Sequence, residues 1–294
     1  MSQSFFANSI GVCGIGVVGG AIVRGMEEYV REVRSYDIDH RRRTHTLHDT
    51  LQSDFVFVCL PTPMKESGVC DTGIIDDFFQ SIDPAQYPNT RFVLKSTLPV
   101  GTVRRIGKRF PRIVHSPEFL TARCASTDFN CPSRNVIGDN GNIESQDTAD
   151  ALNDLYAKRF PGTAILRMTS EESELVKLTC NSFFAVKLSF FNEIYALCEK
   201  LCLSFDRITE GVLSDGRIGN SHFRVPGPPD SSGRILRGWG SRCLPKDLND
   251  LINCFNQQGI DTNVLPAAWK TNLQVRQVRD WESDPSAFTK KHNA

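Results

Sequence analysis

Ser9-Ile10-Gly11-Val12-Cys13-Gly14-Ile15-Gly16-Val17-Val18-Gly19 decides how the first half of the chain folds. Ser9 to Cys13 is a short apolar run that reads as a buried parallel strand. It leads into Gly-x-Gly-x-x-Gly, and a helix-compatible stretch follows from Ala21 to Tyr29. Strand, glycine turn and helix in that order suit a dinucleotide: Gly14 makes the tight turn, Gly16 admits the pyrophosphate, and Gly19 lets helix and strand pack closely. Val17 and Val18 sit inside the glycine motif and belong with it at the cofactor, and the N-terminal N–H groups of the helix that follows face the phosphates. Val33 to Tyr36 then reads as a second strand ending at Asp37, eighteen residues after Gly19. A carboxylate there accepts the ribose hydroxyls and repels a 2′-phosphate, so the expected cofactor is NAD rather than NADP.

Working outward, Asp54 to Leu60 is a continuous apolar strand that stops at Pro61-Thr62-Pro63, and Arg91 to Lys95 stops at Ser96-Thr97-Leu98-Pro99. Both end in proline-fixed polar loops, as at the carboxyl edge of a doubly wound sheet where ligands bind. Ile113 to His115 delivers Ser116-Pro117-Glu118-Phe119-Leu120 to the same edge. Val136 to Gly138 and Ala164 to Leu166 complete an α/β domain expected to span residues 1–168.

Thr169-Ser170-Glu171-Glu172 fits a capping box, and a helical pattern runs from about Ser173 to Leu203. Phe183, Val186, Phe190, Ile194, Leu197 and Leu201 form one apolar stripe; Phe184, Leu188, Phe191, Tyr195, Cys198 and Cys202 form another. A band this wide on a helix of roughly 45 Å implies burial on two sides, by its own domain and by a partner subunit. Lys177 and Asn181, four apart on the first turns, could together hold an oxyanion. Farther on, Cys243 immediately precedes Leu244-Pro245-Lys246-Asp247, where Pro245 suits a first helical turn and Leu248, Leu251, Ile252 and Phe255 continue with helical spacing. The helix N-terminus, helped by Lys246, favours thiolate at Cys243. Taken alone, the segment also fits a buried cysteine at a loop-to-helix junction.

Composition excludes several classes. Lys plus Arg equals Asp plus Glu, 34 each, so no net field draws the chain to nucleic acid or an anionic membrane. No run of about 18 apolar residues is present, nor a basic region leading an apolar core, and a cytoplasmic protein is expected. The ten cysteines are scattered through apolar runs without a Cys-x-x-Cys pair, so neither a disulfide framework nor a metal site is expected.

Seven collinear segments resemble the UDP-glucose/GDP-mannose dehydrogenase family: the glycine motif with Asp37, Leu60-Pro61-Thr62-Pro63, Lys95 through Thr102, Pro117-Glu118-Phe119-Leu120, Glu174 through Asn181, Asp215-Gly216-Arg217-Ile218-Gly219, and Gly238 through Asp247. The resemblance implies an N-terminal Rossmann domain with a doubly wound parallel sheet, followed by an all-α central domain at 169–275. It implies oxidation of a nucleotide sugar, UDP-glucose first among them, at its primary alcohol. In that scheme Cys243 is the nucleophile, Lys177 and Asn181 stabilise oxyanions, Glu118 is the general base, and Thr97 and Asp247 position water. Pro61, Thr62, Thr97 and Lys246 join the glycine turn at NAD; Phe119, Leu120, Gly240 and Arg217 join Lys177 and Asn181 at the sugar nucleotide, Arg217 reaching the neighbouring subunit of a homodimer.

The chain departs from the family pattern in several places. Members usually carry Glu at Ala122 and Gly at Ser241, and a longer segment between Asp37 and Phe55. Residues 276–294 read as a polar tail, so the third, nucleotide-binding domain of the family is expected to be absent. A catalytically impaired NAD-binding or assembly protein, a GDP-mannose or UDP-N-acetylmannosamine dehydrogenase, and a β-hydroxyacid dehydrogenase are the alternatives.

Overall fold

The computed structural model describes residues 7–230 and 232–289. The chain forms two units: one from residues up to Thr62 together with Thr72–Lys177, the other from Pro63–Asp71 together with residues from Leu178 on.

The first unit holds strands β1 (Ser9–Cys13), β2 (Glu32–Tyr36), β3 (Phe55–Val58), β4 (Arg91–Leu94), β5 (Ile113–His115), β6 (Arg134–Asp139) and β7 (Ala164–Thr169), in the order β2-β1-β3-β4-β5-β6-β7. Between them run α1 (Val17–Met26), α2 (Leu47–Leu51), α3 (Gly73–Gln80), α4 (Thr102–Gly107), α5 (Ala125–Asn130) and α6 (Ile143–Arg159). The central strands β1, β3, β4 and β5 are largely apolar because both faces are covered, whereas β2 and β7 at the sheet edges are partly exposed. Ile10, Val12, Phe55, Phe57 and Val93 point to one core; Cys13, Val56, Val58, Phe92 and Leu94 point to the other. Alternation of period two divides one run between two cores.

The sheet is parallel except where β5 meets β6, which pair antiparallel through His115 and Gly138. The only α-helix between them, α5, is six residues long. At about 9 Å it cannot carry the chain back across the sheet. β6 therefore enters from the carboxyl edge, and α6, seventeen residues long, then returns the chain to a parallel β7.

α7 (Ser170–Leu201) begins at the end of the first unit and continues into the second. It starts three residues before the sequence pattern suggests, because Thr169 and Glu172 form the capping box: Thr169 N donates to Glu172 Oε2 at 2.7 Å and Glu172 N to Thr169 Oγ1 at 3.3 Å. The second unit adds α8 (Phe205–Leu213), α9 (Leu244–Gln257) and α10 (Val264–Val275). Trp239, Ala185 and Leu248 bury together, and Trp239 Nε1 donates to Ser189 Oγ at 2.9 Å. Residues 276–289, expected as a polar tail, bury Trp281 and Ala287 with Met64. Met64 N donates to Ala287 O at 2.7 Å and Thr289 N to Met64 O at 2.9 Å. Among the described residues no helix is long and apolar enough to cross a membrane.

Candidate functional site

The glycine turn has the required geometry. Gly14 has φ +90°, and a Cβ there would lie 2.7 Å from Cys59 O; a Cβ on Gly19 would lie 2.0 Å from Gly14 O. Only hydrogen fits at either position. Gly16 is the N-cap of α1, with no side-chain cap and no acid in the first turn. The first N–H groups of the helix thus have no intrahelical acceptor. A Cβ on Gly16 would meet nothing within 4 Å. Asp37 lies alongside, accepting Ile15 N at 2.7 Å through Oδ2 and Asp39 N at 2.9 Å through Oδ1. The open space over Gly16 and the bare helix terminus fit the pyrophosphate of NAD, and each Asp37 oxygen keeps a lone pair for a ribose hydroxyl.

The loops at the strand ends are tied to one another. Thr62 Oγ1 donates to Thr97 O at 2.8 Å, and Ser96 Oγ donates to Leu60 O at 2.6 Å. His115, fully buried, donates through Nε2 to Ser96 O at 3.1 Å, which leaves Nδ1 to accept from Ser173 Oγ at 2.9 Å. Burial lowers its pKa to about 3, so the ring is neutral. Lys177 Nζ, also buried, lies 2.7 Å from Glu118 O and 3.4 Å from Glu118 Oε2. Phe119 receives two cations, Arg134 Cζ 3.9 Å and Lys177 Nζ 5.4 Å from its ring centre. Glu118, Phe119, Leu120 and Arg134 line a cavity of about 230 Å³ together with buried Lys95. Pro61 stands exposed in the loop that follows β3, and Ala122 begins a 3-10 turn.

In the second unit Cys243 is exposed and forms the N-cap of α9. The next turn is buried and polar. Asp247 Oδ2 accepts Asn181 Nδ2 at 2.5 Å, and Asp247 Oδ1 lies 2.5 Å from Lys246 Nζ. Lys246, expected at the cofactor and beside the thiolate, is enclosed, with Cys70 Sγ 3.9 Å away. Burial is the largest single influence and opposes its charge, but Asp247, Cys70 and Asp250 together outweigh it and hold Lys246 protonated above the usual lysine range. Asp250 accepts Cys70 N at 3.1 Å, and burial raises its pKa. Arg217 is exposed and bonded to Asp215 at 2.6 and 2.9 Å. Gly240 lies in the loop before Cys243, against the Asp280 and Arg276 side chains.

Sequence reasoning passed over the residues that hold this loop. Asn192 Oδ1 accepts Gly238 N at 3.0 Å; Asn272 accepts Trp239 N at 2.7 Å and donates to Trp239 O at 2.9 Å. Both asparagines sit in helical stretches rich in apolar residues, which was the available signal. Asp280 had none. Among the described residues no cluster of three or more His, Cys, Asp or Glu could hold a metal ion.

A mostly parallel seven-stranded sheet with a glycine turn under a bare helix terminus defines a Rossmann-type dinucleotide-binding protein, here followed by a helical unit. Residues 23–159 match the NAD binding domain of the UDP-glucose/GDP-mannose dehydrogenase family, and residues 171–274 match its central domain. The chain belongs to that family. It is 31% identical over 257 residues to the UDP-glucose 6-dehydrogenase of Rickettsia felis, covering 85% of this chain and 54% of that protein. It is 31% identical over 270 residues to the enzyme of that name from Pseudomonas aeruginosa, covering 86% and 56%. Among solved structures, a UDP-glucose dehydrogenase from the hyperthermophilic archaeon Pyrobaculum islandicum superposes with a TM-score of 0.77 at 25% identity, over 93% of this chain and 69% of that one. The chain spans about half the length of the curated relatives it matches.

Proposed function

We propose that the protein is a cytoplasmic NAD-dependent nucleotide-sugar dehydrogenase that oxidises UDP-glucose to UDP-glucuronate through a covalent cysteine intermediate. The observation that carries this reading is the start of α9: an exposed Cys243 at a helix N-cap, with Asp247 held one turn on by Asn181 and Lys246. The residues that hold the cofactor are Gly14, Gly16, Val17, Val18, Gly19 and Asp37, with Pro61, Thr62 and Thr97 at the neighbouring strand ends. NAD, when bound, supplies the hydride acceptor for both oxidations.

The protein's own residues supply the rest. Lys177 and Asn181 are N–H donors suited to an alkoxide, first that of the substrate and then that of the thiohemiacetal. The Cys243 thiolate adds to the aldehyde carbon, and its sulphur is a good leaving group once the thioester has formed. Glu118 takes a proton from the water that attacks the thioester, with Thr97 and Asp247 orienting that water; the acid departs and the thiolate is restored. Phe119, Leu120, Gly240 and Arg217 recognise the sugar nucleotide.

The exposed stripe Phe183, Phe190, Leu197 and Leu201 on α7, each more than half exposed, supports a homodimer through this helix. Residues seven apart return to nearly the same face, so the stripe is continuous.

The test is stoichiometry. Two NADH should form per UDP-glucose, with the uronic acid seen by mass spectrometry; one NADH with accumulating aldehyde would count against the thioester. Cys243→Ser should abolish acid formation. A second reading, an NAD-binding protein without turnover, is favoured by Ala122 and by Ser241 in the loop before the thiol. It predicts NAD binding with no NADH from UDP-glucose, GDP-mannose or UDP-N-acetylmannosamine.

A further inference from the structure

The loop before Cys243 is held by residues that follow α10. Ser241 N donates to Asp280 Oδ2 at 2.8 Å. Asp280 Oδ1 accepts Arg276 Nη2 at 2.8 Å, and Arg276 Nε in turn donates to Val278 O at 3.1 Å. The pair lies directly against the backbone: a Cβ on Gly240 would fall 2.2 Å from Asp280 Oδ1 and 2.7 Å from Arg276 Nη2. One residue on, Arg242 Nε donates to Asp284 Oδ2 at 2.6 Å. Ser241 itself has φ +66°, a left-handed conformation that a residue with a Cβ keeps only where its surroundings impose it. The anchor is firm, because Asp280 opens a 3-10 turn whose next residue, Trp281, is buried against Met64 and Trp269.

We propose that Asp280 is a positioning residue for Cys243, fixing Ser241 in the left-handed turn that brings the thiol to the start of α9. Arg276 fixes the carboxylate, and the segment 276–289 is thereby part of the reactive loop's support. This rests on Cys243 being the nucleophile proposed above, so the test reads the loop separately from turnover.

Full-length Asp280→Ala, Asp280→Asn and Asp280→Ala/Ser241→Gly are compared with the parent protein. In Asp280→Ala, amide exchange across 238–243 should accelerate about tenfold or more while α9 keeps its protection. The iodoacetamide labelling rate of Cys243 should change at least about threefold, with the exposed Cys124, Cys131 and Cys202 as unchanged internal controls. For UDP-glucose, kcat should fall about tenfold with KM within about threefold. Asp280→Asn, which keeps an acceptor for Ser241 N–H, should recover part of kcat; so should Ser241→Gly in the Asp280→Ala background, because glycine adopts the turn unaided. Unchanged exchange and labelling in Asp280→Ala would overturn the proposal. So would exchange accelerated uniformly through α9 and α10 with Asp280→Asn no better than Ala, which would assign Asp280 to folding alone. If the parent protein forms no NADH, the proposed reaction falls, while exchange and labelling still decide the role of Asp280.

Discussion

Asp247→Ala tests the buried polar turn after Cys243. In the native protein Asp247 is fully buried between the Lys246 ammonium and the Asn181 amide, both at 2.5 Å. Its removal leaves Lys246, only 6% exposed, without its nearest carboxylate. Breaking a buried pair in this way costs about 3–5 kcal/mol. Asp250 also lowers the energy of the ammonium, which places the loss at the lower end of that range, about 3 kcal/mol. The orphaned Asn181 N–H adds about 1 kcal/mol. A total of about 4 kcal/mol in a unit of this size corresponds to a fall in melting temperature of about 12–16 °C. Scanning calorimetry of the second unit's transition measures it. Lys246→Met combined with Asp247→Leu removes both charges and should recover at least about half of the loss, because well-packed apolar pairs replace buried ion pairs without penalty. A single-variant shift below about 3 °C, or a double variant no better than the single one, would refute the reasoning.

The remaining predictions concern the first unit. His115 is neutral in the native state down to about pH 3 and protonates near 6.5 when unfolded, so the unfolded chain binds the extra proton between these values and stability falls as pH falls, by about 2 kcal/mol at pH 5. Glu174 opposes this: burial pushes its pKa to about 8 although Val103 N and Gly101 N donate to it at 2.8 and 2.6 Å. There the native state holds the extra proton, and stability falls as pH rises from 4.5 to about 8. The two slopes cancel between 4.5 and 6.5, so urea midpoints of Glu174→Gln should rise from pH 5 to 6.5 relative to the parent protein; parallel profiles would sink the assignment. Gly16→Ala should leave the melting temperature nearly unchanged yet weaken NAD binding about tenfold or more, since its methyl enters only the open space over the turn. Gly19→Ala, whose methyl collides with Gly14 O, should instead lower stability by about 1–3 kcal/mol or more; calorimetry with NAD titration separates the two.

Much of the fold was legible because parallel strands covered on both faces keep their apolar residues contiguous. Arg91 to Lys95 was expected as a strand and Arg91–Leu94 is one; the Val33 to Tyr36 strand gains only Glu32. The reversal of β6 was not legible, since it depends on how far α5 reaches rather than on any pattern within β6. Nor was the packing of Pro63–Asp71 with 276–289, where a few apolar residues, Met64, Trp281 and Ala287, meet across more than two hundred positions. Periodicity sees neighbours in sequence, and these segments have too few apolar positions to show a period. The enclosure of Lys246 follows from the same packing: its distance from Cys70 exists only because that loop folds into the second unit.

The sequence left ten cysteines to choose from, and their environments separate them. Burial raises Cys13 far above the usual thiol range and Cys59 to about 12, and it raises Cys254 as well, so these are poor sources of thiolate. Cys70 and Cys198 are buried too, and Cys180 is half-buried within α7, away from either end of the helix. Of the exposed thiols, Cys131 follows α5 and Cys202 follows α7, where the carbonyl ends of the helices repel an anion. Cys124 precedes a helix of only six residues. Cys243 alone among the exposed cysteines stands at the N-terminus of a long helix, fourteen residues of α9; Cys202 is itself left-handed, but at a helix end, whereas Cys243 follows a left-handed Ser241 whose N–H is held by the Asp280 carboxylate. A strained turn with its own carboxylate anchor costs stability, and a cysteine that merely filled space would not require one. The support built around Cys243 is therefore an argument, independent of the family resemblance, that the placement of this sulphur matters.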